Sequence, residues 1–155
     1  MRGIFPILVN LYGPGDRLEL ATNHVIPALV SRFLTAQAEG APFVELWGTG
    51  TAGREFLYVD DAARGLCEAL ARYEDPDPVN LGTGEELTIR DLAGRIAAMT
   101  GYRGEVRFNP AYPDGQPRRM LDVSRAAERF GWRAQVSLDE GLGHTVAWAR
   151  KELGL

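Results

Sequence analysis

The stretch Ile4-Phe5-Pro6-Ile7-Leu8-Val9-Asn10-Leu11 is almost continuously apolar and lacks the alternation of a half-solvated strand. That pattern predicts a strand buried on both faces, the situation of interior strands in parallel sheets. Tyr12-Gly13-Pro14-Gly15-Asp16 then reads as a turn. Beyond it Val25, Ile26, Leu29, Val30, Phe33 and Leu34 recur on one face of an α-helix. Asn23 or Thr22 is the expected N-cap, Pro27 sits in the first turn, and the helix is expected to end near Gly40.

The remaining chain continues the alternation. Short strands are predicted from Val44 to Trp47 and from Glu55 to Val59, around a loop from Gly48 to Gly53 that reads as hairpin-like. Asp60 is expected to cap a helix from about Ala62 to Tyr73. Val79-Asn80-Leu81 is a further strand, and Thr88 caps a helix that turns Leu92, Ile96 and Met99 inward and closes at Gly101. Val106 to Phe108 is strand-like, and residues 109–119 form an irregular loop rich in proline and glycine. A short helix follows from about Ser124 to Phe130. Ser137-Leu138-Asp139-Glu140 is a capping box for a last helix with Leu138, Leu142, Val146 and Ala149 on one face. This is an α/β chain with parallel pairing. Its interior-type strands outnumber the parallel neighbours available to them, so they are expected to belong to a larger sheet.

Composition narrows the function classes. The 155 residues are 45% hydrophobic and 25% charged, an ordinary globular mix. A net charge of −4, with no run of like charges, offers no footprint for nucleic acid. The single cysteine, Cys67, and two histidines distant in sequence give no basis for a metal site. The apolar runs are far shorter than the roughly 20 residues that span a bilayer, so no membrane association is expected. The apolar segment after Met1-Arg2 is short, is interrupted by Pro6 and lacks a small-residue cleavage site, so a cytoplasmic chain is expected.

Two glycine motifs are decoys. Gly48-Thr49-Gly50-Thr51-Ala52-Gly53 fits G-x-G-x-x-G, but a dinucleotide fingerprint opens a helix, whereas Arg54 to Val59 continues as a strand. Gly82-Thr83-Gly84 follows a strand without a third glycine and reads as a turn. Cys67 is expected to be a small buried hydrophobe, and His144 a packed or surface residue of the last helix. His24 is placed differently. At the first turn of a helix behind a glycine-proline turn, its imidazole is able to exchange protons with whatever occupies the loop. Serving only as a helix-start residue is the equal alternative. Arg32, Arg54 and Trp47 are a set able to clamp a diphosphate and stack on a base or sugar, although each also reads as a surface arginine or half-buried tryptophan. Asp122 is either a cap of the Ser124 helix or a ligand contact.

Together these segments carry a resemblance. Asn10-Leu11-Tyr12-Gly13-Pro14, Asn23-His24-Val25-Ile26-Pro27-Ala28-Leu29, Trp47-Gly48-Thr49-Gly50 and Arg54-Glu55-Phe56-Leu57-Tyr58-Val59-Asp60-Asp61 resemble the C-terminal half of the GDP-L-fucose synthase family, a branch of the extended short-chain dehydrogenase/reductases. Asn80-Leu81-Gly82-Thr83-Gly84 and the segment from Pro113 to Arg125 extend the likeness over nearly the whole chain. The resemblance implies the last strands of a Rossmann-type parallel sheet plus a small C-terminal substrate-binding α/β domain. It makes residues 1–155 the substrate-binding portion, with the N-terminal cofactor-binding portion absent.

The activity so implied converts GDP-4-keto-6-deoxy-D-mannose to GDP-L-fucose by epimerisation at C3 and C5 and NADPH-dependent reduction at C4. By similarity His24 is the catalytic acid and also borders the cofactor. Leu8, Val9, Asn10 and Leu11 match the segment passing the nicotinamide of NADP, which is bound mainly by the missing half. Arg32, Trp47, Arg54 and Asp122 match the positions that hold the GDP-sugar. A homodimer is implied for the full-length protein. Arg17-Leu18, Asn23 and Ala52-Gly53 depart from the family pattern, blurring the substrate loop and loosening the one beside Arg54. The cofactor fingerprint and Tyr-x-x-x-Lys pair are not in this chain, whose one lysine is Lys151, so the chain alone is not expected to reduce substrate. The alternatives are an epimerase or dehydratase acting on a UDP- or dTDP-sugar, or a non-catalytic nucleotide-sugar binding module.

Overall fold

A computed structural model describes residues 3–18 and 24–155. The expected caps Thr22 and Asn23 lie outside the described residues. The apolar run at the start is not one strand but two: β1 (Pro6–Leu8) and β2 (Asn10–Tyr12). The break matters because the two pieces take different neighbours. β2 is followed by α1 (Val25–Glu39), β3 (Phe43–Trp47), β4 (Gly53–Arg54), β5 (Phe56–Tyr58), α2 (Val59–Arg72) and β6 (Val79–Leu81). The order closes with β7 (Leu87–Thr88), α3 (Ile89–Thr100), β8 (Glu105–Asn109), β9 (Arg118–Arg119), α4 (Ser124–Phe130) and α5 (Leu138–Glu152). β1 pairs in parallel with β6, β2 with β5, and β3 with β8. β4 lies between β7, antiparallel, and β9, parallel.

Two apolar clusters organise these pieces. The larger buries Ile26, Val30, Phe33 and Leu34 of α1 against Leu92 and Ile96 of α3 and Leu142 and Ala149 of α5. The smaller gathers Leu57, Ala62, Ala69, Val79, Leu81, Phe130 and Trp132 around β6, α2 and α4. α1 and α3 both stop at glycines in the left-handed conformation, Gly40 and Gly101. Thr88 and Ser137 cap α3 and α5 as expected, each accepting a hydrogen bond from the backbone N–H three residues on.

Several expectations are corrected. Phe5, Ile7 and Leu11 are 61%, 38% and 36% exposed, so the initial run is not buried on both faces. Burial on both sides needs a layer on each face, and among the described residues only one face is covered. The loop after β3 does not fold back as a hairpin, since β3 and β4 pair in separate sheets. The predicted strand from Glu55 to Val59 is shorter at both ends: Glu55 lies outside β5, between it and β4, and Val59 already opens α2, with Tyr58 at the N-cap and Asp60 in the first turn. Cys67 is exposed because α2 presents Ala62, Gly65 and Ala69 inward. Leu66 and Leu70 stand beside it on the open side. No helix among the described residues is long and apolar enough to cross a membrane.

Candidate functional site

His24 occupies the N-cap position of α1 in extended conformation and makes no side-chain cap there. Its imidazole is 78% exposed, and Nδ1 lies 3.7 Å from a carboxylate oxygen of Asp16, in the turn that follows β2. The turn thus brings a carboxylate near the histidine, at ion-pair rather than hydrogen-bond distance. On the neighbouring strand segment, Leu8, Val9 and Asn10 are half-buried and Leu11 is exposed. The Asn10 side-chain amide donates to the Glu55 carbonyl at 2.8 Å.

Arg32 and Trp47 are both tied to β3. Arg32 Nη1 donates to the Glu45 carbonyl at 2.9 Å, two residues before Trp47 on the same strand. Trp47 is 66% exposed and stacks on Tyr112, with ring centroids 4.6 Å apart and planes 13° from parallel. Such stacking leaves the second indole face open for a further ring. The loop after Trp47 is held by Asp114, whose carboxylate accepts from the Thr49 N–H at 2.6 Å, the Thr49 hydroxyl at 2.7 Å and the Gly50 N–H at 3.3 Å. These bonds, the Thr49 hydroxyl first, hold the Asp114 carboxyl below the ordinary carboxylate range. Gly48 has φ +80° there, and a Cβ on it collides with that carboxylate.

Arg54 lies on β4, in register with Arg119 of the parallel neighbour β9. In-register residues of adjacent strands project to the same side of the sheet, which sets two guanidinium-bearing positions together. Arg119 also lines a cavity of about 670 Å³ with Gly84, Gln116, Met120, Leu121 and Asp122. Asp122 takes the capping role, its Oδ1 accepting from the Ser124 N–H at 2.9 Å, and it also lines the cavity. Val123 is the N-cap residue of α4 proper, so Asp122 caps from one position earlier. The Ser124 N–H lowers the Asp122 carboxyl below its ordinary range, with Arg125 adding a smaller effect. Asn80 Nδ2 donates to the Asp122 carbonyl at 2.8 Å and ties it to the end of β6.

The carboxylates that build this region were not singled out by sequence reasoning. Glu55 is 0% exposed. Its Oε1 accepts from the N–H groups of Thr83 and Gly84, each at 2.7 Å, and its Oε2 accepts from the Leu121 N–H at 2.8 Å. Hydrogen bonds to a charged acceptor contribute about 1.5–3 kcal/mol each, so this one side chain fixes two loops. Asp61, 2% exposed, does the same for the segment before α5, accepting from the N–H groups of Gln135 and Val136 and pairing with Arg64 at 2.6 Å. The available signal was an acidic residue inside an otherwise apolar run, Arg54-Glu55-Phe56-Leu57-Tyr58, where a strand face has no solvent to offer.

Not every cavity belongs to the predicted set. A second one of about 470 Å³, bordered by Tyr12, Phe56, Thr83, Arg95, Trp132 and Val136, contains none of the residues expected to bind substrate or cofactor. Burial pushes the Tyr12 phenol up, with the Tyr58 ring adding to it, so Tyr12 is a neutral donor there. The decoy glycine loop has no pyrophosphate cradle, because Asp114 already takes the Thr49 and Gly50 N–H groups. No cluster of three or more metal-ligating side chains occurs among the described residues.

Comparison with known proteins places the chain among sugar-nucleotide enzymes by sequence and fold. The chain is 44% identical to the GDP-L-fucose synthase of Escherichia coli (strain K12) over 156 residues, covering 95% of this chain and 48% of that protein. Among solved structures, GDP-L-fucose synthetase from Naegleria fowleri bound to NADP superposes with a TM-score of 0.88 at 26% identity, over 99% of this chain and 47% of that one. UDP-glucose 4-epimerase of Thermotoga maritima with UDP-glucose gives a TM-score of 0.84 at 32% identity, over 96% of this chain and 46% of that one. The fold is thus that of the extended short-chain dehydrogenase/reductases, and the chain spans about half the length of the relatives it matches. The model of the NAD dependent epimerase/dehydratase family matches residues 1–82. With more than half its length matched in that way, this chain belongs to the NAD dependent epimerase/dehydratase family.

Proposed function

We propose that residues 1–155 are the C-terminal, substrate-binding portion of a GDP-L-fucose synthase. In the whole protein this portion holds GDP-4-keto-6-deoxy-D-mannose for epimerisation at C3 and C5 and reduction at C4. The observation that carries the reading is the register of Arg54 with Arg119, which lines one cavity with Asp122; Trp47, exposed at the end of β3, adds an open ring face. Two planar forks suit a diphosphate, and an open indole face suits a base or sugar ring. Arg32, held to β3 by the Glu45 carbonyl, completes the set in this reading.

The chemistry follows from the substrate. A 4-keto group acidifies the C–H bonds on either side of it, and inversion requires a proton delivered to the opposite face of the ring. His24, exposed at the head of α1 near the Asp16 carboxylate, supplies that proton. NADPH, when bound, supplies the hydride for the C4 ketone. Leu8, Val9, Asn10 and Leu11 border its nicotinamide, and the Asn10 amide fixes this segment to β4–β5 through the Glu55 carbonyl. The open apolar side chains Phe5, Ile7, Leu66 and Leu70 support a cofactor-binding portion closing over this side, since interior-type strands seek neighbours. The whole protein is cytoplasmic and homodimeric in this reading.

In the full-length protein, His24→Gln is expected to cut solvent deuterium incorporation at C3 and C5 by about 10²-fold or more, with NADP affinity near normal. Unchanged exchange removes His24 from the mechanism. The likeness to a UDP-glucose epimerase favours a second reading, a UDP-sugar enzyme. Competition among GDP, UDP and dTDP for the site separates the two.

A further inference from the structure

We propose that Glu55 is a positioning residue for the nucleotide-sugar site, a buried carboxylate that locks two walls of the cavity to the strand carrying Arg54. The proposal rests on that cavity being the nucleotide-sugar site. Glu55 sits between β4 and β5, which belong to different sheets, so its side chain leaves the chain where neither ladder continues. Its two oxygens reach backbone N–H groups far away in sequence: Thr83 and Gly84 through Oε1, and Leu121 through Oε2. Gly84 and Leu121 both line the cavity of about 670 Å³. Leu121 is flanked by the rest of the site, with Asp122 next to it and Arg119 two residues before, and Arg54 is the residue before Glu55 itself. Together with the β4–β9 ladder, this carboxylate therefore sets the separation between Arg54, the 83–84 turn and the Arg119 to Asp122 segment.

The approach of this carboxylate is built into the backbone. A Cβ at Gly82 collides with Glu55 Oε1, so the turn has closed onto the acid with no room between them. Glutamine tests the charge and the acceptor count at nearly constant volume. An amide keeps one acceptor oxygen; turned toward Thr83 and Gly84, it faces its NH2 group at the Leu121 N–H, donor against donor. Glu55→Gln is thus expected to release the Leu121 side and keep the 83–84 side.

The experiment uses the full-length protein and GDP as the probe. Binding of GDP and of NADP is measured by calorimetry for wild type, Glu55→Gln and Glu55→Asp, beside thermal unfolding and amide hydrogen exchange. Expected for Glu55→Gln is a rise of about tenfold or more in the GDP dissociation constant and in KM, as suits loss of one charge-assisted hydrogen bond. The expected kcat and NADP affinity stay within about twofold, and the Leu121 amide loses protection selectively. A folded Glu55→Gln protein with wild-type GDP affinity overturns the proposal. If both variants fail to fold, wild type decides: GDP must raise protection at Thr83, Gly84 and Leu121 together, and protection at Leu121 alone overturns it. A wild-type protein that does not bind GDP refutes the reading of the cavity instead.

Discussion

The loop from Gly48 to Gly53 and the turn from Gly82 to Gly84 are two glycine-rich segments that look alike in sequence, and in both a carboxylate from elsewhere occupies the N–H groups. At the first loop the acceptor is Asp114, which lies on the surface. At the second it is Glu55, which is fully buried. Glycine-rich turns bind anions because their N–H groups converge, and here the protein has supplied its own anions. The difference is dielectric. A surface carboxylate exchanges these bonds for water at small cost, whereas a buried one has no such exchange and its loss strands its partners.

That contrast orders the expected effects. Glu55→Ala removes the acceptor of three backbone N–H groups, and a loss of stability on the order of 3 kcal/mol is expected from denaturant unfolding. An effect below about 1 kcal/mol would place Glu55 with the surface caps. Gly82→Ala attacks the same site by volume, since the new Cβ meets Glu55 Oε1 and Val9 Cγ1, and about 1–3 kcal/mol is the usual overpacking penalty. Adding Glu55→Ala to Gly82→Ala relieves the clash with the acid, so the double variant is expected to lose less than the sum of the two.

Asp114→Asn is the smallest of the three and shows itself as faster exchange at the Thr49 and Gly50 amides with little change in global stability. It also carries a pH dependence. The Asp114 carboxyl is held below its ordinary 3.8 by the Thr49 hydroxyl and then by the two N–H groups. Its contribution is present above that value and is lost as pH falls through the lowered one. Acidification is therefore expected to release the Gly48 loop by amide exchange in wild type, and Asp114→Asn abolishes that dependence.

Much of the architecture was legible in residue patterns. α3, α4 and α5 follow from Thr88, the Ser124 to Phe130 segment and Ser137 with their apolar spacing, because caps and periodicity are local properties. The division of Arg54 to Tyr58 into β4 and β5 was not legible, since Arg-Glu-Phe-Leu-Tyr reads as one strand and only the partners β7, β9 and β2 reveal two ladders. Cys67 was misjudged because burial on α2 depends on which face meets the sheet, and its small residues, not its cysteine and leucines, make that contact. The candidate site was half legible. Arg54, Trp47 and Asp122 stand out as residue types, whereas Tyr112, Arg119, Asn80 and Glu55 acquire meaning only from what they touch.

By itself the sequence determined the α/β class, most helix ends and the residues with chemistry to offer, because these depend on composition and on spacing within about ten residues of chain. Only the tertiary structure decided which strands pair, that the glycine loops are closed by Asp114 and Glu55, and that Arg54 stands beside Arg119. Those partners lie more than 25 residues apart, and a contact at such separation is selected by packing and burial over the whole domain, which no local stretch encodes.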